Sequence, residues 1–159
     1  MRKSDREIKD FDDIVRVIEK CDVCRLALHD EEYPYILPLN FGMYVSNKEI
    51  TLYFHGADEG KKYELIRNNN KVSFEMDCSH RLITDKSKGS CTMEFESVIG
   101  NGVIEFVDKE EKTQALDILM SHYPVDKDFE FDKSVVPRTV VLKLSVSNVT
   151  GKRRMKAND

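Results

Sequence analysis

A chain of 159 residues, 40% of them hydrophobic, is long enough for one domain around a single core. A formal charge of −4 argues against a general nucleic-acid binder, no run approaches the roughly 20 apolar residues of a membrane span, and the charged opening MRKSDREIKD does not read as a signal peptide. The expectation is a soluble, cytoplasmic protein with no nucleic-acid or membrane partner.

Asp10 precedes FDDIVRVIEK, in which Phe11, Ile14, Val15 and Ile18 share one face, acids fill the first turn and Lys20 closes the last, so the spacing predicts a short amphipathic helix. Strands are expected at about 24–29, 34–45 and 50–55, with SNKE as the hairpin turn between the last two. A helix over about 58–69 leads to a strand at 71–77 and then to a polar loop, SHRLITDKSKGS. CTMEFESVIGNGVIEFV is a long strand region in which Gly100 and Gly102 mark a bulge or sharp bend. Asp108 and Glu111 supply an acidic cap and its partner for KEEKTQALDILMSHY, whose Ala115, Leu116, Leu119 and Met120 form a core face. RTVVLKLSV is the last strand. One domain is expected over 1–150, followed by a basic C-terminal tail, 151–159, whose GKRRMK reads as a solvated charge run. About six antiparallel strands and three main helices predict a mainly β fold, a curved sheet closed into a barrel with helices over its ends.

Four cysteines raise the question of a metal. Cys21 and Cys24 form a CxxC, but Cys78 and His80 have the wrong spacing for a second zinc-ligand pair, and Cys91 stands apart. Cys21 follows a helix rather than opening one, which is the reverse of a thioredoxin-like dithiol. Buried or edge thiols in a reducing compartment fit the pattern better, and no metal is expected.

The stretch LYFHGADEGKK, Leu52 to Lys62, carries a strand into a helix through His55, Gly56 and Gly60 and ends on Lys61 and Lys62. Unpaired N–H groups at the helix start, the positive end of its dipole, a lysine and a glycine that admits close approach together favour an anion such as phosphate. A plain turn followed by two solvated lysines accounts for the same residues.

Four blocks, CRLALHDEEYPYILPLNFG, ITLYFHGADEGKKYELIRNNNKVSFEMD, SVIGNGVIEFVDKEEKTQALDILMSHY and VVLKLSVSNVTGKRR, resemble in order and spacing the Nim-type (5-nitroimidazole resistance-like) branch of the pyridoxamine 5′-phosphate oxidase-related proteins. The resemblance covers nearly the whole chain. It implies an FMN-binding split barrel that works as a homodimer with flavin in the clefts between subunits. By resemblance His55, with Phe54 before it, and Gly60, Lys61 and Lys62 match the positions that hold the flavin phosphate. Pro38, Leu39, Asn40 and Phe41 match the strand beside the isoalloxazine ring, and Ser97, Val98 and Ile99 match a block near the cofactor. For these last three, ordinary barrel core is an equal reading.

The resemblance also implies a flavin-dependent reductase acting on small electron-poor acceptors, such as nitroaromatic compounds. Such chemistry occurs at the cofactor and needs no nucleophile–base pair from the protein. His55 is the candidate catalytic side chain, with three roles open: bonding the phosphate, donating a proton, or capping the turn. The alternatives are a flavin-binding or redox-sensing module without turnover, and pyridoxamine phosphate oxidase-like activity; the latter is disfavoured because the family's C-terminal arginine motif is not matched by VTGKRRMKAND. FMN ranks before FAD, and haem comes third.

Overall fold

The computed structural model describes residues 4–124, 126 and 128–155. After a 3-10 turn at Ser4–Arg6 the elements run β1 (Glu7–Ile8), α1 (Phe11–Glu19), β2 (Cys24–Leu28), β3 (Tyr35–Leu39), β4 (Gly42–Ser46), β5 (Glu49–Gly56), α2 (Lys61–Asn68), β6 (Lys71–Asp85), β7 (Ser90–Phe106), α3 (Lys112–Ser121), a 3-10 turn at Val136–Arg138 and β8 (Val140–Arg154). All eight strands join one antiparallel sheet in the order β3-β2-β6-β7-β8-β5-β4, with β1 added beside β8. The sheet curls around a core of Leu26, Leu28, Leu52, Phe54, Phe74, Met76, Ile104, Leu142 and Leu144, all at most 2% exposed. The mainly β split-barrel expectation holds.

Local chemistry explains the elements that position everything else. Asp10 caps α1 by accepting a hydrogen bond from the Asp13 amide at 3.1 Å, and Ile14, Val17 and Ile18 bury the helix face against the barrel. The SNKE hairpin turns on Asn47 and Lys48, both with positive φ, as a two-residue turn that matches strand twist requires. The bulge expected at Gly100 and Gly102 is present: Asn101 pairs with Asn148 and Gly102 with Val146, so Ser147 is the extra residue, on β8. The glycines face inward on β7 at points where a side chain has no room, since a Cβ on Gly100 would lie 2.4 Å from the Phe74 ring and one on Gly102 2.0 Å from the Ser145 carbonyl oxygen.

Four boundaries differ from the sequence expectation. Residues 34–45 form two strands, because the chain leaves one edge of the sheet at Leu39 and joins the other at Gly42. SHRLITDKSKGS is not a loop: β6 continues to Asp85 and pairs with β7 up to Asp85 opposite Ser90. This arm beyond the barrel is mostly exposed on both faces, which removes the apolar alternation that would mark it as a strand. α3 begins at Lys112 after Glu111 without a side-chain cap, so the Asp108 cap is not made. Gly151–Arg154, expected in the tail, complete β8 between β7 and β1, and Lys156–Asp159 lie outside the described residues.

Alternation along β7 turns Glu94 and Glu96 inward, each 2% exposed. Glu96 accepts hydrogen bonds from Lys20 Nζ (2.7 Å), Arg153 Nε (2.6 Å) and the Ser79 hydroxyl (3.0 Å), and Glu94 accepts one from Arg81 Nε (2.7 Å). The first three donors come from the end of α1, from β6 and from β8, so one carboxylate clamps three elements. Burial alone raises the Glu96 pKa, but these hydrogen bonds outweigh it and hold the carboxyl below its ordinary value.

Two stability experiments follow from this packing. A Cβ on Gly42 would meet the Leu119 Cα at 2.3 Å, so Gly42→Ala is expected to cost about 1–3 kcal/mol in denaturant unfolding, and an unchanged midpoint would show that α3 does not seat there. Because the folded pKa of Glu96 is depressed, the clamp's contribution is present above the ordinary glutamate pKa of about 4.3 and lost as pH falls through the folded value. Glu96→Gln should destabilise the protein at neutral pH by about 1.5–3 kcal/mol and flatten its acid dependence. A variant that keeps the wild-type acid profile would assign that profile to other carboxylates.

Candidate functional site

The end of β5 and the start of α2 form a small polar cradle. His55 pairs in register with Val141 of β8, its side chain on the face opposite to buried Phe54. The chain then turns through Gly56–Gly60 into α2. Gly60 is the N-cap at φ 138°, where a side chain would be strained, and supplies no side-chain hydrogen bond to the helix start. Tyr63 donates its hydroxyl proton to the Ala57 carbonyl at 2.5 Å, and its ring, 3% exposed, underlies the turn. Lys62 Nζ lies 4.2 Å from the centre of that ring. A Cβ on Gly56 would meet the Tyr63 hydroxyl at 2.8 Å and the Lys62 amine at 3.3 Å, and one on Gly60 the same amine at 3.3 Å, so the Lys62 amine packs closely against both glycines. Uncapped amides, the helix dipole, one ammonium and two glycines make a cradle chemically suited to a phosphate-sized anion.

Lys61 and Lys62 are not equivalent. Lys61 Nζ is 2.6 Å from Asp30 Oδ2 and 5.7 Å from the Tyr35 ring centre. The hydrogen bond from Lys61 lowers the Asp30 pKa, and the same bond raises that of Lys61, so both stay charged at neutral pH. A cleft of about 550 Å³ on this side is lined by His29, Asp30, Glu31, Lys61 and Glu64 among others, a mainly acidic surround that repels an anion. The ammonium facing the cradle is therefore that of Lys62.

His55 keeps an exposed edge, yet desolvation by the protein around it lowers its pKa, so the imidazole is neutral at pH 7. A neutral ring can donate one N–H and accept at the other nitrogen, but it adds no second positive charge.

The remaining sequence-derived residues fall elsewhere. Pro38 is exposed on edge strand β3, where the missing N–H is tolerated, and Leu39 is half-buried. Asn40 donates to the Asp22 carbonyl at 3.1 Å and to the Tyr123 hydroxyl at 3.3 Å. Phe41 is fully buried with its ring 4.3 Å from that of His122, and Phe54 and Val98 are equally buried, so the side chains of these three belong to the core. Ser97 is half-buried and Ile99 is 57% exposed on the outer face of β7. Pro38, Arg25, Glu75, Ile99 and Thr150 occupy one row across five strands. His55 pairs with Val141, nine residues earlier on β8 than Thr150, or about 30 Å of strand. Within one chain the cradle and the Ser97–Ile99 surface are thus separate.

Sequence reading missed two contributors. Tyr63, directly after the quoted stretch, underlies the cradle. Asp30 decides which lysine is committed, but nothing in the sequence links it to Lys61. The Glu94 and Glu96 pair had a signal, the strict alternation of TMEFES with inward Val98. A second cleft, of about 770 Å³, is lined by Met120, Tyr123, Phe129 and Phe131 among others and contains none of the candidate site residues named from sequence. Among the described residues no three His, Cys, Asp or Glu side chains gather as a metal site, and no helix is long and apolar enough to cross a membrane.

An antiparallel split barrel of this topology, with glycines and a lysine at a strand–helix junction, defines the class. Residues 10–153 match the Pyridoxamine 5′-phosphate oxidase family, and the chain belongs to that family, in its Nim-like branch. It is 37% identical to a candidate 5-nitroimidazole antibiotic resistance protein from Bacteroides thetaiotaomicron, over 92% of this chain and 86% of that one, with a TM-score of 0.79. The fold also matches an FAD and heme binding protein from Mycobacterium smegmatis (15% identity, 97% and 76% of the two chains, TM-score 0.81) and an FAD-binding protein from Mesorhizobium loti (22% identity, 94% and 98%, TM-score 0.66). No curated protein matches the sequence.

The lowered His55 pKa sets a direct check. Its ring-proton NMR shift should titrate below the ordinary histidine value of about 6.5 in the ligand-free protein. A midpoint at or above that value would mean that the ring is solvated or paired with a carboxylate.

Proposed function

We propose that the chain is a flavin-dependent oxidoreductase that holds FMN in a cleft completed by a second copy and passes electrons to small, flat, electron-poor acceptors such as nitroaromatics. The observation that carries this reading is the Gly56–Gly60–Lys62 cradle at the uncapped start of α2, in a chain of this family. Similarity to a candidate 5-nitroimidazole resistance protein supports the acceptor class, and fold neighbours named as FAD-binding proteins support a flavin. A single ammonium beside a single helix start suits one terminal phosphate, which favours FMN over FAD.

When bound, FMN would supply the hydride or electron transfer. Lys62 and the first amides of α2 would hold the phosphate. The neutral His55 imidazole, next in sequence to Gly56 and on the outer face of β5, would donate a hydrogen bond to a ligand on that face or hold a proton for the acceptor. Exposed Ile36 and Pro38 on β3, and Ile99 in the same row as Pro38 but with Arg25 and Glu75 between them, would provide apolar contacts for a flat ring. Since about 30 Å of β8 separates the Ile99 row from His55, a second copy is the natural way to bring such a surface over the cradle of the first. Arg153 is committed to Glu96 and Asp13 and so is not free to grip a substrate phosphate, which weighs against oxidation of pyridoxamine phosphate.

The lysine asymmetry gives the decisive titration. Lys62→Ala should weaken FMN binding about ten- to hundredfold while leaving riboflavin binding nearly unchanged, the loss expected for one charge-assisted hydrogen bond of about 1.5–3 kcal/mol. Lys61→Ala should change the two ligands equally. If Lys62→Ala reduces both alike, the cradle does not hold the phosphate. His55 is read in the same samples: its pKa should rise with FMN and not with riboflavin if it bonds the phosphate. For turnover, the reduced holoprotein is mixed anaerobically with a nitroaromatic and with a quinone. Reoxidation no faster than that of free reduced FMN would remove the reductase reading and leave a flavin carrier or sensor.

A further inference from the structure

Two of the four cysteines meet, although they lie in different elements. Cys21, directly after α1, donates its thiol hydrogen to the Val17 carbonyl at 3.2 Å, and Cys78 of β6 points its sulfur at the same oxygen from 3.9 Å. The two sulfurs thus converge on one carbonyl oxygen, one from the end of α1 and one from β6. Cys24 is buried on β2 and Cys91 is exposed on the β6–β7 arm. From this convergence we infer that Cys21 and Cys78 are a peroxide-oxidisable dithiol that closes to a disulfide between the end of α1 and β6.

The surroundings assign each thiol a part. Cys78 is half-buried and is the one a peroxide reaches, whereas Cys21 is 1% exposed. Burial first, and the neighbouring Cys78 second, push the Cys21 thiol far above its ordinary pKa, so it stays protonated and inert until an oxidised sulfur is placed against it. In the first step Cys78 sulfur attacks a peroxide oxygen, the O–O bond breaks, and the products are a Cys78 sulfenic acid and water or an alcohol. In the second step Cys21 sulfur attacks Cys78 sulfur. The S–S bond forms, the S–OH bond breaks, and the departing hydroxide takes the Cys21 proton as water. Two thiols have then given two electrons to one peroxide.

The backbone supplies the adjustment that closure needs. The pairing of β6 with β7 slips between Cys78 and Arg81, and Ser79 sits at φ 59°, so the strand is locally released from its ladder beside Cys78. The other side of the pair is rigid, since the Cys21 carbonyl is bonded to His122 Nε2 at 2.8 Å. Closure is accordingly a local movement of the β6 bulge toward α1. High thiol pKa makes it slow compared with low-pKa redox sensors.

The test treats the folded full-length protein with hydrogen peroxide, blocks remaining thiols under denaturing conditions and maps tryptic peptides by mass. CDVCR, residues 21–25, should appear joined to VSFEMDCSHR, residues 72–81, about 2 Da lighter than the sum of the two. Because CDVCR also holds Cys24, the same link must form in a Cys24→Ala, Cys91→Ser double variant, which retains only the proposed pair. In Cys21→Ser the link should vanish and Cys78 should proceed to sulfinic acid. The proposal is overturned if the double variant shows both thiols still alkylatable after peroxide. It is equally overturned if Cys78 becomes sulfinic acid while Cys21 remains free, or if the link persists in Cys21→Ser.

Discussion

A sheet that curls until its two edge strands face each other, without hydrogen bonds between them, leaves two rows of backbone N–H and C=O groups to be satisfied some other way. Here the edges are β3 and β4, and the chain itself crosses between them at Asn40 and Phe41. The end of α3 fills the gap. The Tyr123 hydroxyl accepts from the Phe41 amide at 2.9 Å and donates to the Asp22 carbonyl at 2.8 Å, which uses its one proton and a lone pair. His122 reaches the Cys21 carbonyl, and its ring packs on Phe41. Gly42 completes the arrangement by letting the α3 backbone touch the strand. Through this junction α3, the turn after α1 and the β3–β4 crossing become one rigid unit. Asn40 and Phe41, which the family resemblance matches to the strand beside the flavin ring, also hold the seam.

The start of β7, close to this seam, uses charge instead. Its inward row runs Glu94, Glu96, Val98, Gly100, Gly102, Ile104, so apolar packing gives way to carboxylates as the strand leaves the core. A buried carboxylate is expensive unless its lone pairs are filled, and three donors from three elements fill those of Glu96. This clamp fixes α1 on the sheet. It also withdraws Arg153 from any ligand, just as Asp30 withdraws Lys61. Ion pairing within the chain therefore selects which cations remain for binding before any ligand arrives.

Much of this was readable beforehand, and the misses have physical causes. Helix α1, the SNKE turn and the bulge at Gly100 and Gly102 each announced themselves through a local rule: a cap with an amphipathic period, a two-residue turn at positive φ, glycine where backbones crowd. The β6–β7 arm did not, because a strand exposed on both faces has no alternation to read. The split of residues 34–45 was equally hidden, since both halves are extended and only the closure of the whole sheet separates them. At the cradle, the local contributors Gly60 and Lys62 stood in one short stretch. The partner that sets Lys61 apart lies 31 residues away, on a loop brought near by folding.

Adjacent helical residues point about 100° apart, and that angle divides the lysine pair at the start of α2. One side chain meets the β2–β3 loop and is neutralised by Asp30; the next lies over Tyr63 and faces the glycines. The cradle therefore offers one full positive charge, a neutral His55 and the fractional charge of a helix start. A phosphate monoester carries nearly two negative charges near pH 7, so the cradle by itself leaves part of that charge uncompensated. Tight binding then needs further donors, and within this chain nearby Lys61 is already committed. Under the proposed FMN reading, that remaining charge is what groups from a second copy would have to offset.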